Sequence, residues 1–217
     1  MEGEGTMGGV KPYKVPAGEG EDILIEKKSR FIGHVYKVET VEEINEILAA
    51  QRKKYWDASH VVYAYILHDG TMRFSDDGEP QGTSGMPTLD VFRKEEVFDV
   101  LCTVVRYFGG TLLGAGGLVR AYGKTAKMAL DAAGVAMMRP HLEVLVDCPY
   151  NLLEIVRKRF DAFDASEESA EFGASVLLTL YMPSEQFEAF SADIIDLTNG
   201  AVEPMAGEEK LFARRIK

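Results

Sequence analysis

The sequence predicts an α+β protein of two domains, an N-terminal domain interrupted by glycine-rich loops and a C-terminal ferredoxin-like α/β plait. The first ground is length: 217 residues suit one large domain or two small ones. The second is a change of texture near Arg139, before which strand and helix patterns alternate with loops dense in Gly and Pro. The third is the order after Arg139, strand-helix-strand-strand-helix-strand, the split βαβ arrangement of a plait. The expected divisions are a flexible arm at residues 1–20, a first domain at 21–138 and a second at 139–217.

Residues 1–20 are rich in Gly and Glu, hold Pro12 and Pro16 and show no sustained apolar period, hence the arm. Apolar residues at 23–25 and 31–38 read as two strands joined by the basic turn Lys27-Lys28-Ser29-Arg30. Thr40 with Glu43 forms a capping box for a helix reaching about Lys54, whose apolar face is Val41, Ile44 and Leu48. Residues 60–67 alternate and are rich in Val and Tyr, and Asp69-Gly70 signals a hairpin to a partner strand at 72–75. Residues 75–87, with Gly78, Pro80, Gly82, Gly85 and Pro87, read as a loop. A short helix at 88–94 and a buried central strand within 97–108 follow. A helix then runs from Leu118 to about Ala133, closed by Gly134. In the second domain the expected elements are strand 142–147, helix 152–160, a strand from Phe163, strand 175–182, helix 184–197 and a strand from Val202.

With 46% hydrophobic and 27% charged residues, the chain is too apolar to stay disordered. No apolar run approaches the ~18 to 20 residues of a membrane span, and the acidic start lacks the pattern of a signal peptide, so the expectation is a cytoplasmic protein without membrane partners. Cys102 lies in an apolar run and Cys148 precedes a proline, outside any CxxC or zinc spacing, which makes both buried structural thiols. A net charge of −11 opposes a wholesale nucleic-acid wrapper; any phosphate contact must come from a local cluster.

Such a cluster stands around the glycines Gly109, Gly110, Gly114, Gly116 and Gly117. Glycines ahead of a helix let backbone N–H groups approach an anion, although close helix packing accounts for them equally well. A Walker A motif is excluded because Leu118 stands where its first glycine belongs, and the dinucleotide fingerprint fails at Val119. Along the helix Arg120, Lys124 and Lys127 share a stripe, either a solvated face or a surface for an anionic partner. Arg106 ends the apolar row Val100, Cys102, Val104, so it is ion-paired or functional, and Asp76, Asp77 and Glu79 on the acidic loop are its expected partners. Those carboxylates would also suit Mg²⁺, yet three in one turn are more often solvent-facing or capping groups; no metal or cofactor is expected. His60 has no nucleophile motif beside it, and no catalytic residue can be named.

Lys28-Ser29-Arg30-Phe31-Ile32, the stretch Ser75-Asp76-Asp77-Gly78-Glu79-Pro80 with Gly82-Thr83 and Gly85-Met86-Pro87, Arg106-Tyr107-Phe108-Gly109-Gly110, and Leu113 through Tyr122 together resemble the IMPACT/YigZ family over residues 22–135. Gln81 and Leu113 depart from its usual small residue and lysine. The resemblance implies a first domain like domain two of ribosomal protein S-five, with a left-handed βαβ crossover. It also implies a second domain like the one bacterial members carry, similar to domains of elongation factor G. It points to translation and to RNA or a ribosome-associated component as partner. On this basis the expected function is a non-enzymatic regulator whose binding residues are Arg30, His60, Arg106, Tyr107, Gly109, Gly110, Gly114, Gly116, Gly117, Arg120, Lys124 and Lys127. The alternatives are an enzyme acting on a phosphorylated small molecule through Asp76, Asp77 and Glu79, and a protein-interaction module.

Overall fold

The computed structural model describes residues 11–215. They divide into two compact units, one built on 13–138 and the other on 139–212.

In the first unit, strand β1 (Tyr13–Pro16) pairs antiparallel with the start of a long strand that begins at Val135. The main sheet contains β2 (Gly20–Glu26), β3 (Ser29–Lys37), β4 (His60–Ile66), β5 (Met72–Ser75) and β6 (Val100–Tyr107), in the order β2-β3-β6-β4-β5 with every neighbouring pair antiparallel. Because β3 and β4 both run opposite to β6, they are parallel to each other, and helix α1 (Val41–Lys54) makes the crossover between them. Thr40 caps α1 by accepting the Glu43 N–H at 3.2 Å. Glu43 reaches back past the cap and accepts the Glu39 N–H at 2.9 Å.

Side chains alternate across a strand, so β6 serves both faces of the sheet. Val100, Cys102 and Val104 pack with Phe31 and Val62 against helices α2 (Gly85–Glu95) and α3 (Ala115–Ala133), which contribute Leu89, Phe92, Leu118, Tyr122, Ala126 and Ala129. Leu101 packs with Tyr63 and Tyr65 against Ile44 and Leu48 of α1. A strand buried on both faces carries Arg106, its seventh residue, into the interior with only 5% exposure.

In the second unit, residues 141–148 of β7 (Val135–Cys148) pair with β9 (Val176–Pro183), β9 pairs with β8 (Ser166–Phe172), and β10 (Met205–Arg215) pairs with β7. The order β10-β7-β9-β8 is that of a ferredoxin-like plait. Val144, Val146, Val176, Leu178, Leu180 and Met182 face Val156, Phe190 and Ile194 from α4 (Leu153–Arg157) and α5 (Phe187–Leu197).

Several expectations need correction; among them, helix α3 begins at Ala115 rather than Leu118, which puts Gly116 and Gly117 inside it rather than ahead of it, and the last strand begins at Met205 rather than Val202. Residues 13–20, assigned to an arm, form β1 and the start of β2; β1 is held by its ladder to β7 and by Tyr13, which donates to Asp99 at 2.8 Å and stacks on His68. The rest of that arm, residues 1–10, lies outside the described residues. Helix α2 begins at Gly85, inside the stretch read as loop, and Pro87 sits in its first turn, where an N–H has no intrahelical acceptor to lose. Met138, Arg139 and Pro140 lie within β7 rather than between elements. Phe163 closes a short 3₁₀ turn, and the strand starts three residues later.

Candidate functional site

Arg106 is the centre of the site. Its Nη1 donates to Glu79 Oε1 at 2.6 Å, and the Tyr122 hydroxyl, from α3, donates to the same oxygen at 2.7 Å. The side chains of Arg106 and Glu79 are 6% and 3% exposed, so the ion pair is buried. Phe31 and Phe108 lie against the guanidinium, with ring centres 5.3 and 5.5 Å from its carbon. Arg106 Nη2 reaches the Ser29 hydroxyl at 3.5 Å, while Arg106 Nε is buried without a partner among the described residues. Burial, followed by the charge and hydrogen bond of Glu79, pushes the Tyr122 hydroxyl far above its ordinary pKa, so it remains a donor.

The three loop carboxylates serve three separate sets of donors. Asp76 accepts from the N–H groups of Gly82, Ser84 and Gly85 and from the Ser84 hydroxyl, which ties the loop to the start of α2. Burial raises its carboxyl pKa, but these hydrogen bonds outweigh that and hold it below the usual range. Asp77 accepts the Val61 N–H at 2.7 Å. Glu79 holds Arg106 and Tyr122. Among the described residues no group of three acidic, His or Cys side chains converges as a metal would require. The acidic loop is therefore a structural clasp around the start of β4 and the end of β6.

His60 stands next to this pair. Its Nδ1 lies 2.7 Å from the Asp77 carbonyl, and a carbonyl only accepts, so Nδ1 carries the proton. Nε2 faces Glu79 Oε1 at 3.9 Å. Both groups open on a cleft of about 390 Å³ lined further by Arg106, Phe108, Leu112 and Leu113 and by the first turn of α3.

A second cleft of about 220 Å³ is lined by Lys27, Arg120, Lys124, Gly117 and Leu113, with Glu26 the carboxylate among its walls. Leu113 lines both clefts. Lys27, Arg120 and Lys124 have no ion-pair partner among the described residues, whereas Lys127, one turn further along α3, is held by Asp131 at 2.5 Å and Glu95 at 3.3 Å. The stripe Arg120, Lys124, Lys127 thus divides into two available cations and one that is neutralised.

Of the other site residues read from sequence, Arg30 stacks on Tyr107 at 4.6 Å, and Tyr107 donates to Asp57 at 2.8 Å, away from both clefts' linings. Gly109 is structural: a Cβ there would stand 2.0 Å from the Lys28 carbonyl carbon, and its N–H donates to the Ser29 hydroxyl at 3.1 Å. Gly110 and Gly114 have φ of +80° and +73°, and Gly114 is the N-cap of α3, without a side chain to satisfy the free N–H groups. Gly117 leaves room for Leu113, and Gly116 lies 3.7 Å from Arg120 Nη1. Sequence reasoning did not single out Ser29, Tyr122, Lys27, Phe108 or Leu112. The apolar spacing along α3 that includes Leu118, Tyr122 and Ala126 accounts for the buried Tyr122 ring and is silent about its hydroxyl.

A two-domain α+β chain with a buried Arg-Glu-Tyr centre beside a glycine-led helix defines a recognisable class. Residues 27–130 match the family model described as Impact N-terminal domain, and 146–201 match one described as Domain of unknown function (DUF1949). The chain is 34% identical to "IMPACT family member YvyE" of Bacillus subtilis, over 87% of this chain and 88% of that one. It is 32% identical to "IMPACT family member YigZ" of Escherichia coli, over 92% and 100% respectively. A solved structure described only as that of a hypothetical protein aligns with a TM-score of 0.58 at 32% identity, covering 93% of this chain and all of the other. The protein belongs to the IMPACT family. Among the described residues, no helix is long and apolar enough to cross a membrane.

Proposed function

We propose that the protein binds RNA through the surface formed by Lys27, Arg120 and Lys124, and that it acts as a translation-related regulator without chemistry of its own. The observation that carries the binding is the convergence of three exposed cations on one cleft with no ion-pair partner among the described residues, in a chain of net charge −11. Lys127, one turn further along the same helix, is by contrast held by Asp131 and Glu95. Three left free beside the positive end of α3 suit phosphate oxygens. The connection with translation, and with RNA at the ribosome in particular, comes from the family resemblance. The buried ion pair and the clasped acidic loop have a supporting role in this reading: they fix the start of α3 against β6 and so hold Arg120 in place.

Crosslinking in living cells, followed by sequencing of the RNA attached to the purified protein, tests the reading. Parent protein is expected to carry RNA, and Arg120→Glu/Lys124→Glu is expected to lose it. Equal recovery with both proteins, or with neither, contradicts the proposed surface.

A further inference from the structure

We infer that the apolar cleft beside His60 binds a carboxylic acid with an apolar body, its carboxylate held between Arg106 and the first turn of α3. Arg106 lines this cleft of about 390 Å³ together with Gly114, Ala115 and Leu118 from that turn. The volume lies in the range of small-ligand sites.

One edge of the Arg106 guanidinium is unused. A carboxylate pairs with arginine across two parallel N–H groups. Arg157 turns Nε and Nη2 in this way on Glu167, at 2.9 and 2.7 Å, and Arg159 turns the same two atoms on Asp193, at 2.7 and 2.6 Å. Arg106 instead meets Glu79 through Nη1. Its Nη2 has only the Ser29 hydroxyl at 3.5 Å, and its Nε has no partner among the described residues. A buried donor left in this state calls for an acceptor from outside the chain. Nε is closed off from water, and Phe108, 49% exposed and lying over the guanidinium, is the side chain that turns to admit the acid.

The start of α3 supplies a second, separate set of donors. Gly114 caps the helix without a side chain, and the N–H groups of Ala115 and Gly116 have no acceptor among the described residues. They lie at the positive end of a 19-residue helix, equivalent to roughly half an elementary charge. Glu79 also lines the cleft, but its charge is balanced by Arg106 and its Oε1 already takes two donors. The remaining walls ask for an apolar body: Pro80, Leu113 and Leu118 line the cleft, and Leu112 stands 82% exposed at its rim. A phosphate ester suits such walls less, because it would bring a second charge out of water. The acid is either a small molecule or the C-terminus of a peptide ending in an apolar residue, which present the same chemistry.

Calorimetric titration of the full chain with 3-phenylpropionate, its amide and propionate tests the site. The peptide Gly-Gly-Gly-Phe, with a free or an amidated C-terminus, tests the source. The free acid is expected to bind at least about tenfold more tightly than its amide, the equivalent of one charge-assisted hydrogen bond, and more tightly than propionate, which lacks the ring. Ala115→Pro removes one N–H at a helix position that tolerates proline, after a Gly114 whose ψ of 163° is already extended, so it is expected to narrow the gap between acid and amide at an unchanged thermal midpoint. Arg106→Lys keeps the charge beside Glu79 but lacks the unused edge, and is expected to lose the preference for the acid. Ala115→Trp, which fills the cleft from its exposed rim, is expected to bind none of the probes. Binding of the free peptide without 3-phenylpropionate supports the site and assigns it to peptide ends; the reverse supports it and assigns it to small acids. An acid bound no more tightly than its amide, Ala115→Trp binding like the parent, or no binding by any probe overturns the inference.

Discussion

Replacing Arg106 by methionine removes the charge of the buried pair while keeping most of its bulk. The Glu79 carboxylate, 3% exposed, would keep the Tyr122 hydroxyl as its hydrogen-bond donor, with His60 Nε2 3.9 Å away. Stranding one partner of a buried pair typically costs ~3–5 kcal/mol, far more than the ~0–1 kcal/mol of a surface bridge. The cost here is expected at about 3 kcal/mol, the lower end of that range, since Tyr122 still donates to Glu79. Removing both charges, in Arg106→Met/Glu79→Met, should cost less than Arg106→Met alone, because no buried charge is left without a counterpart. Urea unfolding of the full chain followed by far-ultraviolet circular dichroism measures this from the shift in midpoint at constant slope. A cost under about 1 kcal/mol for Arg106→Met, or a double variant as unstable as the sum of the two single ones, would refute the claim that this pair holds the site together.

Asp76→Asn should destabilise the fold by ~1–3 kcal/mol, because the amide cannot accept from all four donors at once with the strength of a carboxylate; the parent's advantage over this variant should shrink on acidification. The sign follows from the lowered carboxyl pKa of Asp76: its contribution is fully present above the ordinary carboxylate range and disappears as pH falls through the lower, folded value, so stability curves of parent and variant should converge there. Gly109→Ala should cost more than a typical surface substitution, since its Cβ would overlap the Lys28–Ser29 backbone; a thermal midpoint equal to the parent's would show that the β2–β3 turn can move aside. Thr40→Ala should lose about 1 kcal/mol through the cap of α1, readable in the same urea titration, with a null effect pointing to compensation by Glu43.

Elements with strong local signals were legible in the sequence. The α1 helix has both bounds given by its cap and apolar spacing, and the plait emerges from the order of patterns after Arg139. Strand β1 was hidden because four residues flanked by Gly and Pro carry no period of their own; its stability comes from a partner more than a hundred residues away, β7. The same non-local pairing extended β7 back through Pro140. In the site, Arg106 at the end of an apolar row implied a carboxylate partner, but spacing could not tell which of three it would be. The loop resolves the choice by spending Asp76 and Asp77 on backbone N–H groups, which leaves Glu79 to turn inward. Nor could the stripe on α3 show that Glu95, from α2, would neutralise Lys127 while Arg120 and Lys124 remained free.

The most direct measurement is the salt dependence of RNA affinity for the parent and for Arg120→Glu/Lys124→Glu. Three phosphate contacts from Lys27, Arg120 and Lys124 predict that log affinity falls by about 2 for each tenfold rise in salt on a single strand, and that the variant retains a slope below about 1 with weaker binding at every concentration. A parent slope near zero, or a variant with the parent's slope and affinity, would contradict the phosphate surface.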